Sequence, residues 1–534
     1  MYLLLRYRTV LLLFVVFFQK TTAQQLFYSQ DFYTTQQVDF IVNQANENIF
    51  TAIKPVLKSD LYYKNLSDSL LNYPDRDKIF LQKHKASWVY RKLRKENFID
   101  FRKNNFHLMI NPLLWLEYKK QQDDERTFFT NTRGIEFKAD LGKRFSFYSS
   151  FYENQSRYPD YISDYVLTSR VVPGQGAAKI DNHNPNRYDY SRAEAYISIR
   201  PVEKFVLQFG HSKQFIGEGY RSFILSDNSF TVPFFKMSYS FGSFRYTTLW
   251  SQYQLFEGAY YNYHRRKYGS INMISWLPNP GFELALTESV MWQGNSPDNP
   301  NSFNLNFFNP LLFFRTVQYG LKDEKNILLA LNIRKRITEF EQIYGQFALD
   351  ELKKDNTGKN KYAFQIGIKS FDLLRGSFYR QQLFVLTEYN RAVPYMYAHK
   401  QVLSSYSHYN QPLAHSSGGG LSELVAILDY RFRDVFVTVK YNHLTNSLDT
   451  LNSNFGSNIF LPDEGNGGDT IGQGIENKTE NFTLSFGLIV NPVSNMKIYV
   501  EIWKRKVQNV LSPADELYFS FGIKMDINNY YFDF

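Results

Sequence analysis

The chain has 534 residues, with 40 Tyr and 49 Phe, an aromatic share of 18% and a formal charge of +10, yet its mean hydropathy is only -0.41. So many rings at so low a hydropathy exclude a bundle of apolar helices, and after residue 18 no run approaches the roughly 18 apolar residues a spanning helix needs. The pairing fits outward aromatic girdles around a polar interior, while the absence of Cys excludes disulfides, thiol nucleophiles and thiolate metal sites.

Residues 1–23 read as a secretory signal, with Arg6 and Arg8, an apolar run from Thr9 to Phe18, and Thr21 and Ala23 before the cut. Cleavage after Ala23 removes Arg6, Arg8 and Lys20, lowering the formal charge from +10 to +7, and no Cys follows to carry a lipid anchor. Residues 24–100 differ in character. Val38 to Ile53 and Asp77 to Arg94 read as amphipathic helices, the second with Ala86, Val89 and Leu93 on one stripe and Lys83, Lys85, Arg91, Lys92, Arg94 and Lys95 elsewhere. The expectation is a small periplasmic helical segment whose basic run either meets anionic headgroups or a periplasmic partner, or is a solvated face.

From residue 101 to 534 the pattern is a transmembrane β-barrel. Period-two alternation gives about eighteen antiparallel strands, near 104–118, 130–141, 143–153, 191–200, 203–212, 233–241, 243–255, 267–276, 281–293, 326–335, 338–350, 362–372, 377–390, 422–432, 434–445, 480–491, 495–505 and 515–525. In Val435, Val437, Val439 and Tyr441 one face is apolar, with Phe436, Thr438 and Lys440 on the other. Short connections fall at every second junction, among them Pro201–Val202, Phe241–Ser243 and Phe432–Arg433, and long polar segments fill the rest, near 154–190, 213–232, 294–325, 391–421 and 446–479. Outer-membrane barrels have short periplasmic turns and long outer loops, so this parity predicts an outer-membrane location in a Gram-negative cell, both termini periplasmic and the long loops outward or folded into the lumen. Alternating Tyr518 to Met525, followed by Tyr530-Tyr531-Phe532-Asp533-Phe534, reads as the end of such a barrel.

Chemistry concentrates in three long segments. The first runs from Phe209 through His211, Gly217, Glu218, Gly219, Tyr220, Arg221, Asp227 and Asn228. Two glycines around Glu218 free the backbone, and rings beside Asn, Asp and Arg suit a sugar, whose C–H face stacks and whose hydroxyls need partners. The alternative is a loop packed into the lumen with its polar groups mutually satisfied. The second segment holds Arg391, Tyr395, His399, His408, Asn410, Gln411 and His415; histidine spacings of 9 and 7 with neither Cys nor carboxylate match no compact metal pair. The third, Phe307 to Arg315, has an Asn-Pro break and reads as an inward-folded loop. His211, Ser226 and Asp227 supply the residue types of a hydrolase without evidence of its geometry, and no enzyme is expected.

The run Gly217 to Asn228, with Phe308-Asn309-Pro310-Leu311-Leu312-Phe313-Phe314-Arg315 and Tyr409-Asn410-Gln411-Pro412-Leu413-Ala414-His415, resembles the Wzi capsule-assembly family, more closely its Bacteroidetes gliding-motility (RemB-like) branch. The resemblance implies an 18-stranded barrel with a periplasmic helical bundle and a non-enzymatic, lectin-like role in binding or organising surface polysaccharide, in capsule or exopolysaccharide assembly or in gliding. Its implied partners are outer-membrane lipid, surface polysaccharide and components of a motility or secretion machinery, with no cofactor, metal or nucleic acid. The sugar-facing residues expected on this reading are His211, Glu218, Tyr220, Arg221, Asp227, Asn228, Arg315, Arg391, Tyr395, His408, Asn410, Gln411 and His415. A channel for anionic or sugar solutes is the competing reading, since eighteen strands enclose room for water and Lys and Arg in the lumen favour anions.

Overall fold

The computed structural model describes residues 25–62, 87–181, 184–256, 264–294, 309–313, 326–351, 360–375, 381–450, 453–463, 470–527 and 529–534. Eighteen antiparallel strands close into a barrel. In chain order they are β1 Phe106–Gln121, β2 Thr127–Leu141, β3 Phe145–Arg157, β4 Asn184–Val202, β5 Phe205–Ser212, β6 Val232–Phe241, β7 Phe244–Phe256, β8 His264–Asn279 and β9 Phe282–Gln293. The ring continues with β10 Asn326–Arg336, β11 Glu341–Glu351, β12 Lys361–Ser370, β13 Gln381–Ala392, β14 Leu421–Phe432, β15 Val435–Ser447, β16 Glu476–Asn491, β17 Met496–Gln508 and β18 Ala514–Lys524. Each segment read from alternation carries one strand. Several strands run longer than read, β4 most of all, because ladder pairing continues beyond the apolar band where polar side chains suffice.

Closure joins β18 to β1 from Tyr518↔Gln121 to Lys524↔Trp115. The start of β1 overhangs this seam and pairs instead with the short strand Ile99–Lys103. Along β18, Phe519 and Phe521 are exposed on the outer wall while Ser520 and Gly522 face inward, as the alternation requires. Among the described residues no helix is long and apolar enough to cross a membrane.

The short turns gather at one rim and the long loops at the other, and the lumen between them is filled from both ends. At the short-turn end, residues 25–62 lie inside the barrel. Helix α1, Phe32–Gln44, is capped by Asp31, and α2 is Lys58–Tyr62. Gln25 bonds Ser146 and the Lys143 carbonyl, Asn43 bonds the Thr338 and Glu339 carbonyls, and Arg200 reaches Gln25 and Ser59, so this segment is tied to the wall on several sides. The expected helix from Val38 to Ile53 is thus shifted, and it lies within the barrel mouth. Lumen-facing polar residues of the strands give its own polar groups partners that a free cap would find in water. Of the second expected helix, Trp88–Arg94 forms helix α3, with an exposed face, and hangs below the rim through Asn491 and Asp434. Its earlier residues, the signal segment and Arg315 lie outside the described residues.

At the other end, loops 213–231 and 393–420 fold inward and interlock. Ile53–Lys54 pairs with Phe215–Ile216, joining the lower plug to the first loop. Ser226 N–H donates to the Leu413 carbonyl at 2.8 Å, Tyr397 OH to Phe223 and Tyr406 OH to Ile224, joining the two loops. After β18 ends at the short-turn rim, residues 525–527 and 529–534 turn back up the lumen. Phe534 therefore packs on Tyr161 and Tyr165 of helix α4, Asp160–Ser169, in the long loop after β3.

Candidate functional site

The glycines around Glu218 are required by geometry. Gly217 has φ +144, and a Cβ on Gly219 would sit 2.1 Å from Glu388 Oε2. That close approach lets the Glu388 carboxylate accept the backbone N–H of Tyr220 at 2.8 Å and of Arg221 at 3.1 Å, together with Tyr344 OH and Asn390. The loop is thereby clamped to β13 by its backbone, and Arg221 points into a buried hub.

In this hub Arg221 Nε and Nη2 donate to Glu423 at 3.1 and 2.7 Å, and Nη2 lies 3.2 Å from Asp533. Asp533 also receives Tyr220 OH at 2.9 Å and Lys440 at 3.1 Å. Two cations thus balance two carboxylates away from water. Burial opposes the charged form of Arg221, but Asp533 and Glu423 outweigh it and hold the guanidinium charged. Burial likewise pushes the Asp533 carboxyl up, and Arg221 with Lys440 pulls it below its ordinary value. His415 is lowered by burial, with Glu423 opposing; the neutral ring donates from Nε2 to Glu423 at 2.8 Å and accepts Ser417 N–H at Nδ1.

A second balanced network lies below, where the lower plug meets the same loop. Lys54 lies 3.0 Å from Asp39 and 3.1 Å from Glu218, and Lys369 lies 2.8 Å from Asp39. Thr51 OH donates to Glu218 at 2.7 Å, its N–H donates to Glu283 at 2.9 Å, and Arg334 completes the set at 3.4 Å from Glu283.

Other expected residues tie these loops to each other and to the segments around them. Asp227 accepts Tyr531 OH at 2.7 Å, and Asn228 donates to the Pro412 carbonyl at 3.1 Å. Gln411 bonds Gly174 N–H and the Gln175 carbonyl. His408 accepts Gln254 N–H at Nδ1 and donates Nε2–H to the Thr231 carbonyl; burial lowers its pKa to about 3. With both ring nitrogens of His408 and His415 occupied, neither has a lone pair for a metal, and no metal-holding group is found among the described residues. Tyr395, at φ 64, donates to the Asn454 carbonyl at 2.6 Å.

The expected set is therefore divided. Glu218, Tyr220, Arg221, Asp227, Asn228, Tyr395, His408, Gln411 and His415 are buried in the plug. His211 and Arg391 share the outward side of their strands with Phe209 and Tyr389, so the two-residue period turns them away from the lumen. Asn410 stays partly exposed beside Tyr409; both have positive φ, at 51 and 50, making the two-residue tip of the hairpin that joins Ser407–His408 to Gln411–Pro412. Sequence reading missed the wall carboxylates Glu283, Glu388 and Glu423. Their signal was a carboxylate on the lumen side of an alternating strand, which needs a buried partner.

The model for the family described as capsule assembly protein Wzi matches residues 118–516. The chain belongs to the Wzi family. In structure this Wzi-family barrel is similar to a solved Escherichia coli protein, described as Wzi, an outer membrane protein involved in group 1 capsule assembly and a carbohydrate binding β-barrel. The match has 14% identity, a TM-score of 0.56, and covers 94% of this chain and 100% of that one. Pseudomonas aeruginosa OprD is also similar, at 12% identity and a TM-score of 0.41, covering 78% of this chain and 94% of that one. No curated protein matches the chain in sequence.

Proposed function

We propose that this Wzi-family barrel binds and organises surface polysaccharide at its long-loop rim, without catalysing a reaction, with the long loops outside the cell and the short turns in the periplasm. The observation that carries this reading is the double plug: loops 213–231 and 393–420 interlock above residues 25–62, leaving the loop surface rather than a water path as the working part. The buried residues of the expected site then set the shape of the loops. The hairpin tip meets the glycan through the Tyr409 ring, which stacks on sugar C–H groups, while the Asn410 amide accepts Phe256 N–H at 3.0 Å and donates to the Ser169 carbonyl at 3.1 Å, holding the tip in place. Tyr409 is steadied by Phe230 and Phe256, with ring centroids 4.8 and 4.7 Å away.

The test is whether the protein, purified from its own host, retains that host's surface polysaccharide. Retention lost in Tyr409→Ala with Asn410→Ala, the barrel remaining folded, supports the reading; unchanged retention removes the hairpin from it. Steady conductance of the native protein in planar bilayers would favour the channel instead. Scoring gliding and surface polysaccharide side by side in a deletion strain separates capsule assembly from service to motility, with loss of gliding at normal polysaccharide pointing to the second.

A further inference from the structure

Away from the loop surface, a narrow cleft opens at the short-turn rim between the lower plug and strands β4 to β7. Four cations line it, Arg200, Lys204, Lys236 and Arg245, against a single lining carboxylate, Asp60 of α2. Asp60 lies between Arg200 and Arg245, 3.2 Å from Arg245 Nη1. Burial pushes its carboxyl up, but the two guanidinium groups outweigh that and hold it below its ordinary value.

The remaining positive charge has no such partner within the cleft. Lys236 is 5% exposed; its ammonium donates to the neutral Gln214 Oε1 at 2.8 Å and lies 5.1 Å from the centre of the Phe27 ring. An ammonium so placed has two further N–H donors and no carboxylate contact, and burying such a cation is costly unless an anion joins it. Arg245 commits Nε to Ser240 at 3.0 Å and Nη1 to Asp60, and rests on the Phe50 ring at 4.6 Å, which leaves Nη2 to donate. Lys204 sits exposed in the turn above the mouth. Outside this rim the exposed rings of Tyr239, Phe241, Phe244 and Trp276 stack in series, 5.7 to 6.4 Å apart. Such a girdle marks the depth of lipid headgroups, so the mouth of the cleft lies at phosphate level.

We propose that this cleft is a binding site for a phosphate oxyanion, held by Lys236, Lys204 and Arg245, with Asp60 as a built-in competitor for the guanidinium groups. The phosphate is that of a lipid headgroup or of a free phosphate, and the two probes below separate these sources. Binding would tie the lower plug to the rim through a shared anion, a role independent of the loop surface at the other end.

The experiment uses the full mature barrel in a neutral maltoside detergent. Equilibrium dialysis measures inorganic phosphate, and native mass spectrometry counts retained phosphatidylglycerol against phosphatidylcholine. Lys204→Gln, on an exposed turn that does not bear on folding, and Lys236→Gln should each weaken binding about tenfold, the scale of one charge-assisted hydrogen bond. Asp60→Asn should strengthen it several-fold, an effect opposite to general loosening. Phosphate binding alone identifies a soluble source; selective retention of phosphatidylglycerol identifies the headgroup. If neither probe binds, or if Lys204→Gln and Lys236→Gln bind as the native protein does, the proposal is overturned.

Discussion

Replacing Arg221 by alanine tests whether one buried cation holds the upper plug shut. The side chain makes two bonds to Glu423, at 2.7 and 3.1 Å, and lies 3.2 Å from Asp533, all nearly inaccessible to water. Removing it leaves two buried carboxylates facing Lys440 alone among the hub's cations. Breaking a buried pair on one side typically costs about 3–5 kcal/mol. At about 1.4 kcal/mol per tenfold, the opening equilibrium of loop 213–231 should rise by roughly a hundred- to a few-thousandfold. The strand ladders do not depend on this pair, so the barrel stays folded and the effect is local. Hydrogen exchange reads it directly at the amides of Ile216 and Ser226, which donate to Leu225 and Leu413 at 2.8 Å. Where reclosing is fast, their exchange should speed up by the same factor, while amides in β15 and β16 do not change. Exchange at Ile216 and Ser226 equal to that of the native protein would refute the assignment of Arg221 as the latch.

Three further outcomes follow from the same contacts. Gly219→Ala puts a methyl group 2.1 Å from Glu388 Oε2 and 2.9 Å from Gln365 Oε1, so the loop must lift from its clamp; overpacking of this kind costs about 1–3 kcal/mol, and protease should cut within 213–231 while the barrel still resists dodecyl sulfate. His408 has its pKa lowered from 6.5 to about 3 by burial. An unfolded loop therefore takes up a proton first as pH falls, so the stability of loop 393–420 is level above about pH 6.5 and declines steadily towards pH 3; nicking followed between pH 8 and pH 4 checks this, and His408→Asn should weaken the dependence, leaving the part that buried His415 contributes in the same direction. On the outer wall, Phe521 is 53% exposed beside inward Gly522. Phe521→Lys should cost about 2–4 kcal/mol if it lies near the bilayer midplane, measured by urea unfolding from vesicles, whereas Ser520→Lys on the lumen side should escape the lipid penalty.

How much was legible in the sequence follows from what alternation reports. The two-residue period tells which side of a strand is apolar, and it located all eighteen strands because lipid imposes the same demand on each of them. It is silent on what fills the lumen, since water and a polar plug both accept polar residues. Glu283, Glu388 and Glu423 look the same in the sequence whether they line a channel or clamp a loop, and only their partners Thr51 and Arg221, distant in the chain, decide between the two. The loop motifs were visible as clusters of rings and polar groups, but recognition and internal satisfaction use the same side chains, so only burial separates Arg221, inside the plug, from the partly exposed hairpin tip at 409–410.

The chain's last residues show the same ambiguity most sharply. Tyr530, Phe532 and Phe534 lie on one side of an alternating segment and Tyr531 and Asp533 on the other, as in a terminal strand against lipid. In the barrel both sides meet protein: Tyr530 packs on Trp115 at 4.8 Å, Phe532 on Tyr158 at 5.6 Å and Phe534 on Tyr165 at 5.2 Å, while Tyr531 lies 5.3 Å from Tyr220 and Asp533 reaches Arg221. The alternation is real, but it records an extended segment between two plug elements and the wall. The carboxylate of Asp533 is the distinguishing mark, because a tail running along the lipid face has no use for a buried anion, and one running up a lumen beside Arg221 and Lys440 requires it.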